Sequence, residues 1–336
     1  MHTDTLARTF AVVALVAAVG GCTTQVEQSD TSPLSSGEHV LVVSAAASTV
    51  RIHDADTLRP EGPPIGVGTV PSEVAVNRDG TRGYILSPTS NDVTVIDTTA
   101  QQVVGRPIRV SIYPSDLAVS PDGNRLYVAG GETDDVRAYD TRTGDMVGTP
   151  LRVGDAPGGL VLSPDGHMLY ASSIYQDDVR IIDTEEWAVV GNPILVGRAP
   201  AAMAVSPDGA RVYVTGRYSG DITVIDTVTR SVVGNRVPVG SFPTDVLADR
   251  AGRRIYVVSQ NSNSVQVIDT ETMQPIGTPI PTGEAPESLA MSPDGSRLYV
   301  TNMYSNDVTV IDTTTLAPVR SGAPTSTPRG IAVSET

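Results

Sequence analysis

The sequence predicts an all-β protein, a seven-bladed β-propeller whose closing blade is shared between N- and C-terminal segments. Three observations lead there. A tyrosine recurs every 43 residues, at Tyr84, Tyr127, Tyr170, Tyr213, Tyr256 and Tyr299, and self-similarity of that period marks a propeller or a solenoid. Each unit holds four short strand-like segments parted by turn residues, the content of one propeller blade. The two ends of the array carry complementary fragments of one further unit.

Taken in order, residues 1–21 read as an export signal. Arg8 precedes an apolar run from Phe10 to Val19. About ten apolar residues suit a signal-peptide core and are too few to span a bilayer. The run ends in Val19-Gly20-Gly21-Cys22, which resembles a bacterial lipobox. That resemblance implies a lipidated Cys22 as the mature first residue and a protein held on the extracytoplasmic side of the cell membrane. Cys22 is the only cysteine, so no intrachain disulfide can form. Residues 22–37 are polar and poor in large apolar side chains, a flexible tether. Residues 38–336 form the propeller.

The unit from Pro114 to Ala156 shows how one repeat is built. Leu117 to Ser120 is a short apolar strand, closed by Pro121-Asp122-Gly123. Proline presets φ, aspartate bonds back to the backbone and glycine accepts positive φ. Arg125 to Ala129 is a second strand and Asp135 to Tyr139 a third. Asp140-Thr141 opens the next turn, and Met146 to Val153 carries the fourth strand. The same Asp-Thr pair recurs at Asp97, Asp183, Asp226, Asp269 and Asp312. Tyr299-Val300-Thr301-Asn302 resembles the name motif of the YVTN β-propeller repeat family, with Tyr213-Val214-Thr215-Gly216 and Tyr127-Val128-Ala129-Gly130 as near variants. The resemblance spans Glu38 to the C-terminus and is specific for fold, not for activity.

Stepping back one repeat from Tyr84 and Asp97 lands on Leu41 and Asp54, so His39 to Pro64 supplies strands two to four of a seventh blade. Its missing first strand is Pro328 to Ser334. Joining the two fragments removes the edges that an open array would expose.

Composition narrows function. Hydrophobic residues make up 40% and charged residues 18% of the chain, enough apolar content for a large core. The net charge is −15 and all 23 basic residues are arginine. Without lysine there is no Schiff base or lysine general base. An acidic chain with no basic cluster argues against nucleic acid as a partner. The mature histidines, His39, His53 and His167, map to the face bearing the Ser-Pro-Asp-Gly and Asp-Thr turns. That speaks against a histidine base, a histidine metal site or a Ser-His-Asp triad at the other face.

Residues found in most blades serve the blade. The Asn91-Asp92, Asp134-Asp135, Asp177-Asp178 and Asn306-Asp307 pairs therefore read as turn caps and not as metal ligands. Residues that depart from the repeat are the candidates for function. The family resemblance places the opening prolines and the turns after Tyr-Val-x-x at the channel mouth, the usual ligand face of propellers. Two positions past each opening proline stand Glu73, Asp116, Gly159, Ala202, Asp245, Ser288 and Gly330. Tyr175, Tyr218 and Tyr304 rim the same face. The candidate site is an acidic wall, Glu73, Asp116 and Asp245 with Glu287, beside a tyrosine-rimmed groove. Arg198, Arg217 and Arg329 are counter-charges for an anionic ligand group. The alternative is that the tyrosines only fill space and the carboxylates are only solvated. Oxygen ligands could hold Ca²⁺ or Mg²⁺ at Glu73, Asp116 and Asp245, with Glu284 and Glu287 nearby, though no cofactor is required. Amides at Glu73 and Asp116 are expected to leave folding nearly unchanged, as exposed substitutions do.

These observations favour a membrane-tethered, extracytoplasmic binding or protein-interaction module, expected to be a monomer. Its partner is an unidentified protein or small ligand at the mouth. The rivals are a metal-dependent, lactonase-like hydrolase or lyase and a cell-surface structural module. The address has a direct test. Cys22→Ser should release the protein from membranes or block its processing; an unmodified wild-type N-terminus with unchanged membrane partition would sink it.

Overall fold

The computed structural model describes residues 37–323 and 325–335; the export signal, Cys22 and most of the tether lie outside the described residues. It is built from seven antiparallel sheets arranged as a propeller. Blades 1 to 6 run in chain order from Glu73. In the closing blade, Pro328–Glu335 is innermost, followed by Glu38–Ser44, Thr49–Asp54 and Ile65–Gly66. His39 pairs with Ser334 and Val42 with Ile331 across the seam, so the ring closes as the sequence predicts.

Blade 2 shows why these segments become strands. Pro114–Val119 lines the channel, Arg125–Gly130 and Asp135–Asp140 follow, and Met146–Arg152 is outermost. Its second strand is buried on both faces, whereas its fourth is mostly exposed. A blade is a sheet with neighbours on both sides, so its inner strands carry runs of apolar residues instead of strict alternation. The outer strand is an edge and is irregular elsewhere. In blade 1 it splits into Gln102–Val103 and Ile108–Arg109, and in blade 5 it shrinks to Ile280–Pro281.

The apolar core lies between blades. Seven clusters each draw on two adjacent sheets. Between blades 1 and 2, Tyr84, Leu86, Val93 and Ile108 meet Leu117, Leu126, Val128 and Tyr139. Between blade 6 and the closing blade, Tyr299 and Val310 meet Val40, Val42 and Ile331. There the Tyr299 hydroxyl donates to the Ala55 carbonyl at 3.2 Å.

Hydrogen bonds finish each face. On the turn face, Ser120 Oγ and the Asn124 amide donate to Asp122. The Thr141 hydroxyl donates to the Gly123 carbonyl at 2.6 Å, tying the two turns of its blade together. On the mouth face, the residue before each opening proline has positive φ, from Val70 and Tyr113 round to Phe242 and Thr327. That conformation is uncommon for non-glycine residues, and the preceding blade's turn supports it. Asn91, Asp134, Asp177, Asn263 and Asn306 each accept the backbone N–H of such a residue, 22 positions on in the first four and 21 in the last. The recurring Asn/Asp pairs are thus turn caps, as the repeat comparison indicates. Glu38 and Ala55 meet on the turn face, so the chain enters the propeller opposite the mouth.

Deleting the last nine residues from Pro328 removes the innermost strand of the closing blade. It also strips Ile331 and Ala332, 4% and 8% exposed, from two clusters. The expected loss exceeds about 3 kcal/mol, seen as a fall of about 5 °C or more in Tm, or as aggregation. A truncated protein that melts like the parent would show that the strand does not hold the ring.

Candidate functional site

The position two past each opening proline faces the channel, and there the blades differ chemically. In blade 2, Asp116 accepts its neighbour Leu117 N–H at 2.7 Å and Leu160 N–H of blade 3 at 2.6 Å. In blade 5, Asp245 accepts Val246 N–H at 2.8 Å and Leu289 N–H of blade 6 at 2.8 Å, with the Ser288 hydroxyl at 3.1 Å. Each carboxylate staples one blade's innermost strand to the next. Where the position is glycine, backbone takes the space directly. A Cβ at Gly330 would lie 2.7 Å from Glu73 Cα, and one at Gly159 would collide with the Ala201 carbonyl. Glu73 is less committed; its Oε1 meets Val74 N–H at 3.4 Å.

These groups are enclosed rather than exposed, which corrects the expectation that Glu73 and Asp116 behave as surface residues. Each retains some accessible area toward the channel, but protein surrounds it. Burial raises the Glu73 carboxyl well above its usual range, and the charges of Asp116, Asp245 and Glu287 raise it further. Burial lifts Asp116 to about 7 against the pull of its two backbone donors. It lifts Asp245 to about 6 against Leu289, Val246 and Ser288. Carboxylates on blades 1, 2, 5 and 6 thus feel one another across a single channel.

The cationic side is nearer the mouth. Glu287, one residue past the blade 6 proline, is raised by burial and held down by Arg329, Arg217 and Gln260 in turn. Gln260 Nε2 donates to Glu287 Oε2 at 2.7 Å. Arg329 occupies the matching position of the closing blade. Arg217 comes from the turn after Tyr213-Val-Thr-Gly in blade 4, with its guanidinium 5.1 Å over the Phe242 ring, a cation–π distance. Tyr218 lies 6.0 Å from the same ring. Arg217 Nε and Arg329 Nε are both buried with no hydrogen-bond partner, and among the described residues neither guanidinium makes an ion pair. Arg217, Tyr218, Ser241 and Phe242 line a pocket of about 460 Å³.

The structure therefore gathers Glu73, Asp116, Asp245, Glu287, Arg217 and Arg329 around one channel end. Tyr218 flanks them at 66% exposure, while Tyr175 and Tyr304 stand on other blades at 78% and 69%. Arg198 is exposed on the same face and joins none of these contacts. Among the described residues no three carboxylates or histidines are grouped to hold a metal ion. Glu73, Asp116 and Asp245 sit on different blades, and the two aspartates are spent on backbone N–H groups, so they form no preassembled ligand set. Phe242 and Gln260 escape the sequence reading. Phe242 is one of only two phenylalanines and precedes an opening proline where no other blade carries phenylalanine, a signal that was available. A second depression, of about 310 Å³, lies on the turn face beside Asp165 and Asp208; both aspartates there cap their own turns. His53, also on that side, donates from Nδ1 to the Leu58 carbonyl at 3.1 Å and burial takes it down to about 4.

A family model described as YNCE-like beta-propeller matches residues 3–335. Nothing among curated proteins matches the chain. The Kuenenia stuttgartiensis hydrazine synthase is similar at 27% identity and a TM-score of 0.65, over 72% of this chain and 76% of that one. A functionally unknown protein from Desulfotomaculum acetoxidans DSM 771 is 17% identical with a TM-score of 0.78, over 88% of this chain and 99% of that one. The dihydro-heme d1 dehydrogenase NirN, solved in complex with DHE, is 17% identical with a TM-score of 0.64, over 85% of this chain and 64% of that one. At 17% the likeness is one of fold.

Because the Glu73 pKa is raised in the folded state, its unfavourable ionisation weakens folding as pH climbs above the unfolded value of about 4.3. Glu73→Gln removes that penalty and keeps the shape. The variant should outlast wild type at pH 8 by at least about 2 °C in Tm, with the gap widening from pH 5 to pH 8. A constant gap, or a variant less stable at pH 8, would show that Glu73 is not held protonated. Asp116→Asn should instead destabilise, because an amide cannot accept both backbone N–H groups.

Proposed function

The chain belongs to the YNCE-like beta-propeller family, and from that premise we propose that it is an extracytoplasmic, lipid-anchored binding module whose channel mouth takes the ligand. One observation carries this. The residues that break a 43-residue repeat converge at one end of the channel, where two arginines each hold a buried Nε–H that the protein leaves without a partner. Scaffold positions are satisfied blade after blade by caps and staples. An unsatisfied buried donor is costly, and a site that awaits a partner accounts for two of them together. The lipobox at Cys22 supplies the address and the absence of lysine and of a basic cluster keeps nucleic acid off the list of partners. A metal-dependent hydrolase reading has less support, since the aspartates that would hold the ion already serve the backbone.

A cysteine footprint tests the reading. Ser241→Cys places a thiol in the mouth pocket, and Val228→Cys places one on the turn face, where Val228 is 85% exposed. Thiol labelling of Ser241→Cys should be several-fold slower in the intact cell envelope than in purified protein, with Val228→Cys labelled alike in both. Equal protection of the two thiols, or none, would mean that the mouth is not the occupied face.

A further inference from the structure

We propose that the mouth pocket takes a small, flat, monoanionic organic molecule, an aromatic carboxylate by chemical class. Its oxyanion would pair with Arg217, and its ring would lie against Phe242 and Tyr218. This rests on the mouth being the binding face and names what that face recognises.

Three features point to the oxyanion. Arg217 and Arg329 both favour the ionised form of Glu287, yet neither forms an ion pair with it. Each has a buried Nε–H with nothing to donate to. Arginine has donors and no acceptor, and it keeps its charge in proteins, so only an acceptor can complete it. A planar oxyanion matches the fork geometry of guanidinium.

The charge balance sets the number of anionic groups. Two guanidiniums against Glu287 leave one net positive charge at this level of the channel. Below it stand Asp116 and Asp245, which oppose a second anionic charge. A monoanion is matched, and a dianion or polyanion is repelled by the acidic floor.

The pocket supplies the ring site. Phe242 and Tyr218 meet at 6.0 Å with ring planes tilted by 47°, forming two walls of a pocket of about 460 Å³, within the range of small-molecule sites, about 300–1,000 Å³. Tyr218 is exposed enough to accept a stacked ring. Phe242 sits under the Arg217 guanidinium, so the apolar and cationic parts of the site are adjacent.

Calorimetric titration of the full-length protein with four probes at one ionic strength decides the matter. Benzoate carries both features, acetate the carboxylate alone, benzylamine the ring with reversed charge, and phenyl phosphate the ring with a dianion near neutral pH. Benzoate should bind tightest, acetate and phenyl phosphate more weakly, and benzylamine not at all. Arg217→Gln should weaken benzoate at least about tenfold, as loss of a charge-assisted pair does, and Arg329→Gln should weaken it less, through the field alone. Phe242→Leu should weaken benzoate while leaving acetate unchanged, which separates a ring contact from a folding defect. Melting curves of every variant establish that it is folded, and Arg329→Lys keeps the charge if the glutamine variant is not. Benzylamine binding as well as benzoate, benzoate binding unaffected by both arginine changes, or no benzoate binding at its highest soluble concentration would each overturn the proposal. If benzoate fails while Ser241→Cys remains protected in the envelope, the ligand class is wrong and the binding face stands. If benzoate binds but that thiol is unprotected, the envelope role is wrong and the site stands.

Discussion

Every blade depends on the apolar contact with its two neighbours. A four-stranded sheet alone has two apolar faces and nothing to cover them; in a ring, each face is covered by the next sheet. Fully burying a valine, leucine or isoleucine side chain contributes about 1.5–3 kcal/mol before conformational entropy is set against it. A cluster such as Leu41, Val43, Val50, Ile52, Ile85 and Ile96 is therefore a large favourable term at each of seven seams. It is available only if the last seam closes. The pairing of Glu38–Ser44 with Pro328–Glu335 thus stabilises the whole ring, because an open seam would leave two clusters half exposed.

Closure leaves the chain free to vary where blades do not need one another. The turn-face aspartates and threonines repeat with little change because each completes its own turn. The mouth-face asparagines and aspartates repeat because each supports the left-handed residue that leads into the next blade. One position further in, the ring tolerates an aspartate reaching across, a glycine pressed against its neighbour, or an alanine. That tolerance is what allows charge to collect in the channel. Asp116 and Asp245 are dual-purpose: they hold adjacent inner strands together and, being acidic in a confined space, raise the cost of ionising Glu73.

Much of this was legible in the sequence, for a physical reason. A propeller repeats its constraints at a fixed step, so the spacing of Tyr84 to Tyr299 exposes the blades, and subtracting that step from Tyr84 finds the split blade. The channel-facing positions follow from the same register, which is why Glu73, Asp116, Asp245 and Glu287 could be named together. Arg217 and Arg329 could be named as counter-charges, but not the carboxylate they act on. Arg217 and Glu287 are on different blades, and only side-chain reach across the mouth joins them. The deep burial of Glu73 was missed because a channel wall and a solvated rim have the same sequence pattern. The irregular fourth strands were blurred for the opposite reason, since an edge places few demands on residue type. Gln260 had no signal at all, because its role is to orient one carboxylate of the next blade.

The chain joins the ring at Glu38 on the turn face, with the channel mouth on the far side. Any hold taken through that end of the propeller would act on the back of the disc. A surface holding the protein by its leading end would therefore face the tidy, self-capped loops, and the arginines would look away from it into open solution. Molecules drifting past would meet the mouth first. A hold at the rear would thus set the direction in which the protein listens.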